Sequence, residues 1–260
     1  MFSFLNNIPQ VTKNILLLNV FMFLLKLFYE SQGIDLDVIL GAYYVVSPLF
    51  KPFQLVSHFF MHADFFHILM NMWIFVMLGS HLEKLWGAKR FFIFYLISAF
   101  GAIILYNIIG GYQIIEFKNN LSSSLNINDI NSIIANSKSR NEIIDKVNLL
   151  LIHSSNQNIN VNQLLNYIDY SRTSMVGASG AVFGILAAFG LLFPNTEFYL
   201  YMAIPVKAKY LVGGYFLWEL YRSINTLPGD NVAHLAHVGG AIAGAIMILI
   251  WRRTDRKNFW

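Results

Sequence analysis

The stretch Met175–Gly184, MVGASGAVFG, sets one hydroxyl, Ser179, among glycines at the start of an apolar segment. A serine is a poor nucleophile until a base accepts its proton, so a partner is needed at similar depth. The stretch NVAHLAHVGGAIAG supplies His234 and His237 at the entry of the last apolar segment, with His237 about one turn inside it. A third polar group lies in QLVSHFFMHADFFHILMN, which carries Ser57, His58, His62, His67 and Asn71. On a helix His67 and Asn71 share one face a turn apart, and both can donate to the same small target. A hydroxyl, an imidazole and paired donors are the parts needed for acyl transfer through an oxyanion.

The histidines also raise metal binding. Their spacing argues against it, since no H-E-x-x-H pair and no helical carboxylate–histidine set occurs. Cysteine is absent, which removes disulfides, thiolate metal sites and a cysteine nucleophile. His58, His81 and His153 are read as partners of neighbouring polar groups. No metal and no cofactor is expected, because hydrolysis by a serine and a histidine needs only water.

The elements that must carry these residues follow from composition. With 56% hydrophobic, 16% aromatic and 12% charged side chains over 260 residues, the chain is too apolar for an average soluble domain and reads as an integral membrane protein. The net charge of +4 comes from residues spread over segment ends, with no basic groove interleaved with aromatics, so nucleic acid is not an expected partner. Six apolar stretches can each cross a hydrocarbon layer of ~30 Å. They run approximately Ile15–Tyr29, Phe65–Leu82, Phe91–Ile109, Gly177–Phe193, Tyr210–Ile224 and Val232–Trp251, all expected as helices because a lipid-embedded backbone must satisfy its own amides. The first is read as a retained span, with Lys26 snorkelling to the interface.

Lys84, Lys89 and Arg90, then Lys207 and Lys209, then Arg252, Arg253, Arg256 and Lys257 fall on one side of six spans. That side is cytoplasmic by the distribution of basic residues, with both termini on it, and the starts of spans four and six face outward. Residues 1–110 and 173–260 thus form two halves of a core. Residues 111–172, rich in Asn, Ser and Ile, read as an extracytoplasmic insertion between spans three and four. Ile130, Ile133 and Ile134, then Ile143, Ile144, Val147, Leu150 and Leu151, predict two short amphipathic helices there, with Ser139 or Asn141 near the start of the second. Gly180 and Gly184 in span four and Gly240 and Gly244 in span six form two G-x-x-x-G faces, which let helices approach closely and bring hydroxyl and imidazole together.

These residues resemble the rhomboid intramembrane serine proteases. GASG at Gly177–Gly180 is similar to that family's nucleophile motif, and AHVGGAIAG at Ala236–Gly244 to its histidine motif. The segment from Phe53 to Met72 resembles the one holding its oxyanion residues, and LEKLWGAKRF and IPVKAKY resemble its cytoplasmic connections. The resemblance covers most of residues 50–110 and 173–251. It implies a six-helix bundle and a Ser–His dyad, with Ser179 as nucleophile and His237 as base and then acid. It also implies an oxyanion hole from the Ser179 N–H, His67 and Asn71, with Gly177, Gly180, Gly240 and His62 in support and Phe183 packed on the imidazole. No third carboxylate is expected. Asp64 and Asp230 are the nearby acids, neither at helical spacing from His237, so packing must orient the ring.

Ser57, His58, His62 and His67 are expected to line a water-filled pocket open to the outside. The implied substrates are single-span membrane proteins, cut in or near the transmembrane segment. Span five, with Gly213, Gly214 and Trp218, and the loop Asn225–Asn231 are expected as gate and cap. A bacterial cytoplasmic membrane suits the short soluble tails. The rival reading is a catalytically inactive rhomboid-like chaperone that binds clients; a polytopic transporter lacks its expected repeated halves.

Overall fold

The computed structural model describes residues 6–122, 125–153, 159–200, 203–225 and 232–255. The loop expected as a cap, from residue 226 to 231, lies outside them, as do Asp230, Arg256 and Lys257. The chain divides into two compact units, Met1–Ile39 with His58–Tyr106 and Val176–Trp260, and Leu40–Ser57 with Asn107–Met175.

In the first unit the helices are α1 (Gln10–Glu30), α2 (Phe65–Trp86) and the beginning of α3 (Ala88–Leu121). The chain returns to this unit, after three helices of the second, with α7 (Ser179–Leu192), α8 (Ala208–Ile224) and α9 (His234–Thr254). Helices α1, α2, α3 and α9 are long and apolar enough to cross a membrane, and α7 is a shorter apolar helix. The protein is therefore an integral membrane protein. Most of α7 is buried, so its neighbours and not lipid surround it. Strands β3 (Glu197–Leu200) and β4 (Ile204–Lys207) form an antiparallel hairpin between α7 and α8.

Helix α1 is fastened by two buried charges. Glu83 accepts from the Val11 and Thr12 amides at 2.9 and 2.7 Å and from the Thr12 hydroxyl at 2.8 Å, an anion on the free N–H groups of a helix start. Lys26 does not snorkel. It is 2% exposed and donates to Asp37 at 2.5 Å and to the His62 and Ala63 carbonyls at 2.9 and 2.6 Å. A charge buried in the last turns of an apolar helix must be paired, and the segment between α1 and α2 supplies the partners. A π-helical turn, Phe75–Gly79, interrupts α2, and Phe75 packs with Phe91 and Tyr95 in the apolar core.

The second unit is built on α4 (Ile127–Ala135), α5 (Arg140–His153), α6 (Val161–Arg172) and the later part of α3. Both expected amphipathic helices are present, burying Ile130, Ile134, Ile143 and Val147. Ser139 accepts from the Glu142 amide and so starts α5. Two features go beyond the sequence reading. Helix α3 continues past Ile109 to Leu121, and α6 is a further helix, capped by Asn160 through the Gln163 amide. Strands β1 (Ala42–Tyr43) and β2 (Ser174–Met175) pair antiparallel in this unit.

Candidate active site

Ser179 is the first residue of α7, where the initial N–H groups have no intrahelical acceptor. Its Oγ lies 2.9 Å from His237 Nε2, and His237 is one turn into α9. The glycine faces make this possible. A Cβ on Gly240 would sit 1.9 Å from the Gly180 carbonyl oxygen, and one on Gly180 would sit 2.4 Å from the Ala102 Cβ. Backbone packs on backbone here, and no side chain fits between the helices.

Phe183, one turn into α7, stacks on the His237 ring at 4.2 Å with 10° between planes. On the far side of the imidazole lies a residue that sequence reasoning missed. Glu219 of α8 places Oε2 2.9 Å from His237 Nδ1 and 2.6 Å from His234 Nδ1. The expectation of no third carboxylate is therefore corrected, because α8 brings an acid from a helix not considered for the role. A charged residue in an apolar segment was the available signal. Asp64, considered instead, caps α2 by accepting the His67 amide at 2.8 Å.

His67 flanks the serine from α2. Its Nδ1 accepts the Ala63 N–H at 3.3 Å, which assigns the ring proton to Nε2. That edge faces Gly177, since a Cβ there would come 2.8 Å from His67 Nε2. Gly177 also has a φ of +115°, a backbone that other residues rarely adopt, and its N–H donates to the His58 carbonyl at 2.8 Å. Asn71, one turn below, donates to the His67 carbonyl at 2.9 Å. The site thus combines a hydroxyl on a base, a base on an acid, and a donor beside a helix start.

The donor atoms of Glu219, His234 and His237 converge within 4.8 Å, enough to raise metal binding. The 2.6 and 2.9 Å separations are hydrogen-bond lengths, shorter than the roughly 3.3 Å between ligand atoms of a tetrahedral zinc with bonds near 2.0 Å.

The rhomboid domain model matches residues 50–115 and 144–254, more than half of the chain and all of the residues just described. The chain belongs to the rhomboid family. It is 38% identical over 101 residues to an uncharacterized mitochondrial rhomboid protein of Schizosaccharomyces pombe, a match covering 34% of this chain and 26% of that protein. It is 37% identical over 91 residues to RHOMBOID-like protein 12, mitochondrial, of Arabidopsis thaliana, covering 35% and 26%. This rhomboid thus aligns with about a quarter of the length of each of these relatives.

The structure brings Ser179, His237, His67, Phe183, Gly177, Gly180 and Gly240 together as the sequence suggested. The water-lined pocket needs correction. His58 and His62 are 1% and 0% exposed, so neither lines an opening, and the Ser57 hydroxyl donates to the Leu40 carbonyl. His62 instead packs edge-on against His67 at 5.0 Å, with neither ring nitrogen in a well-formed hydrogen bond. His81 is exposed and packs against Phe189 and Phe193.

Proposed function

We propose that this rhomboid is an intramembrane serine endopeptidase. The observation that carries the reading is the 2.9 Å contact between Ser179 Oγ and His237 Nε2 inside a buried helix bundle. Ser179 Oγ attacks the scissile carbonyl carbon while His237 Nε2 takes its proton. The carbonyl oxygen becomes an oxyanion held by the Ser179 N–H, His67 Nε2–H and the Asn71 amide. Collapse of this intermediate breaks the C–N bond, the amine leaves with the proton from His237, and water then hydrolyses the acyl-enzyme by the same steps.

The substrates are single-span membrane proteins cut in or near the transmembrane segment, in contact with membrane lipid. Weakly helical segments are preferred because a helical amide is shielded by its own hydrogen bonds. The six apolar helices form six spans with both termini cytoplasmic, and residues 111–172 are an extracytoplasmic insertion. A bacterial cytoplasmic membrane suits a six-span core and an organelle is the alternative; the two relatives are named as mitochondrial, which does not support the bacterial setting.

The test is cleavage of a labelled single-span peptide in liposomes by the wild type, Ser179→Ala and His237→Ala, with a fluorophosphonate probe on the same samples. Loss of cleavage and labelling in Ser179→Ala, with cleavage by His237→Ala reduced by about 10³-fold or more, is the expected result. Cleavage that survives Ser179→Ala overturns the assignment, and a wild type that binds the peptide without cutting or labelling returns the client-binding chaperone.

A further inference from the structure

Of the residues of α8, only Ala208 at its start and Glu219 are buried. Gly213 and Gly214 face open space, and an apolar cavity of about 300 Å³ lies among α7, α8 and α9 on the Phe183 and Tyr215 side. An acid inside such a helix is costly unless paired, and this one is paired twice through a single oxygen.

We propose that Glu219 is the positioning residue of the hydrolytic site, so that Ser179, His237 and Glu219 act in series and the chain is not limited to a serine–histidine pair. The proposal rests on the protease reading above. A base that takes the serine proton at Nε2 must carry its own proton at Nδ1, and an anionic acceptor at Nδ1 selects that tautomer. Phe183 stacks on the face of the ring and fixes its plane, but stacking does not distinguish the two nitrogens. Only the contact at Nδ1 does. Once Nε2 has taken the proton, the imidazolium stands 2.9 Å from the carboxylate in a site screened little by water.

His234 completes the arrangement. One turn earlier on α9, its Nδ1 holds the same Oε2 at 2.6 Å and so fixes the carboxylate in place. The groups that face His237 are Glu219 from α8, His234 from α9, His67 from α2 and Ser179 from α7, with Tyr215 of α8 beside Glu219. Glu219 is the acidic one among them.

The experiment uses the full chain in liposomes with a labelled single-span peptide. It compares wild type, Glu219→Gln, Glu219→Asp and His234→Gln, with Ser179→Ala as background. Values of kcat and KM are taken across pH, and each variant is melted in detergent to count folded protein. Glu219→Gln is expected to lower kcat per folded molecule at least tenfold, up to about 10⁴-fold, with KM unchanged. The acid limb of its rate profile moves to lower pH, since the imidazolium has lost its neighbouring charge. Glu219→Asp keeps the wild-type limb, and His234→Gln loses less kcat than Glu219→Gln. A Glu219→Gln protein with wild-type kcat per folded molecule and an unmoved limb overturns the proposal while leaving the protease reading intact. A wild type without Ser179-dependent cleavage overturns both.

Discussion

His67 uses one ring nitrogen to accept a backbone amide and leaves the other, protonated, beside Gly177 and the start of α7. In the reaction proposed above, that division of labour makes it a preset donor for an oxyanion. Removing one such donor commonly costs 10²–10³ in kcat, or about 3–4 kcal/mol. His67→Ala and Asn71→Ala should each show a loss of this size with KM little changed, checked by steady-state cleavage; an equal rise in KM with kcat intact would assign them to substrate binding. Ser179, His237 and His67 were legible as one group because each stands within the first turn of a helix, among glycines or other polar groups. Glu219 was not, because it lies 18 positions before His237 on a different helix, and only the fold reveals which face of α8 meets His237.

Element packing at the site rests on glycines whose roles differ sharply. At Gly240 a methyl would overlap the Gly180 carbonyl, so α7 and α9 must separate and the contact between Ser179 and His237 must lengthen. Overpacking of this kind costs about 1–3 kcal/mol or more. Gly240→Ala should lower the melting temperature in detergent and reduce cleavage more than tenfold. Gly213→Ala, on the open side of α8, should keep both, with helix propensity adding up to about 1 kcal/mol. Equal behaviour of the two variants would mean that glycine packing does not set the site. The close approach of α7 and α9 was readable from their G-x-x-x-G spacing. The third helix, α6, was not, although Leu164, Tyr167 and Ile168 give it a short buried face, because that face sits among Asn and Gln residues and the start is set by the local Asn160 cap. Nor did apolar length show α3 running on to Leu121, since the added turns are polar on one side.

At the scale of the whole molecule, buried charge and a buried neutral histidine make stability depend on pH. Lys26 anchors the loop at His62 and Ala63, and this loop leads directly into the helix bearing His67. His62, fully buried, has its pKa lowered from 6.5 to about 3, by burial first and by the nearby His67 and Lys26 in addition. The unfolded chain therefore binds a proton that the folded chain refuses. Stability is fully present above about pH 6.5 and falls as the pH drops from there toward 3, by about 2 kcal/mol at pH 5 from this residue. Asp37, which burial raises above the usual carboxylate range, acts in the opposite sense as it is protonated, so the slope must be assigned by substitution. His62→Phe keeps a ring against His67 but has nothing to titrate, and should flatten the fall of melting temperature between pH 7 and about 5 by several degrees. If its melting curve tracks the wild type at every pH, the acid sensitivity arises elsewhere. For the reaction proposed above, this measurement also separates a lower rate in folded protein from a loss of folded protein, to which protonation of His62 contributes. Cleavage by His62→Phe should then retain an acid limb at reduced pH while its unfolding no longer accompanies it.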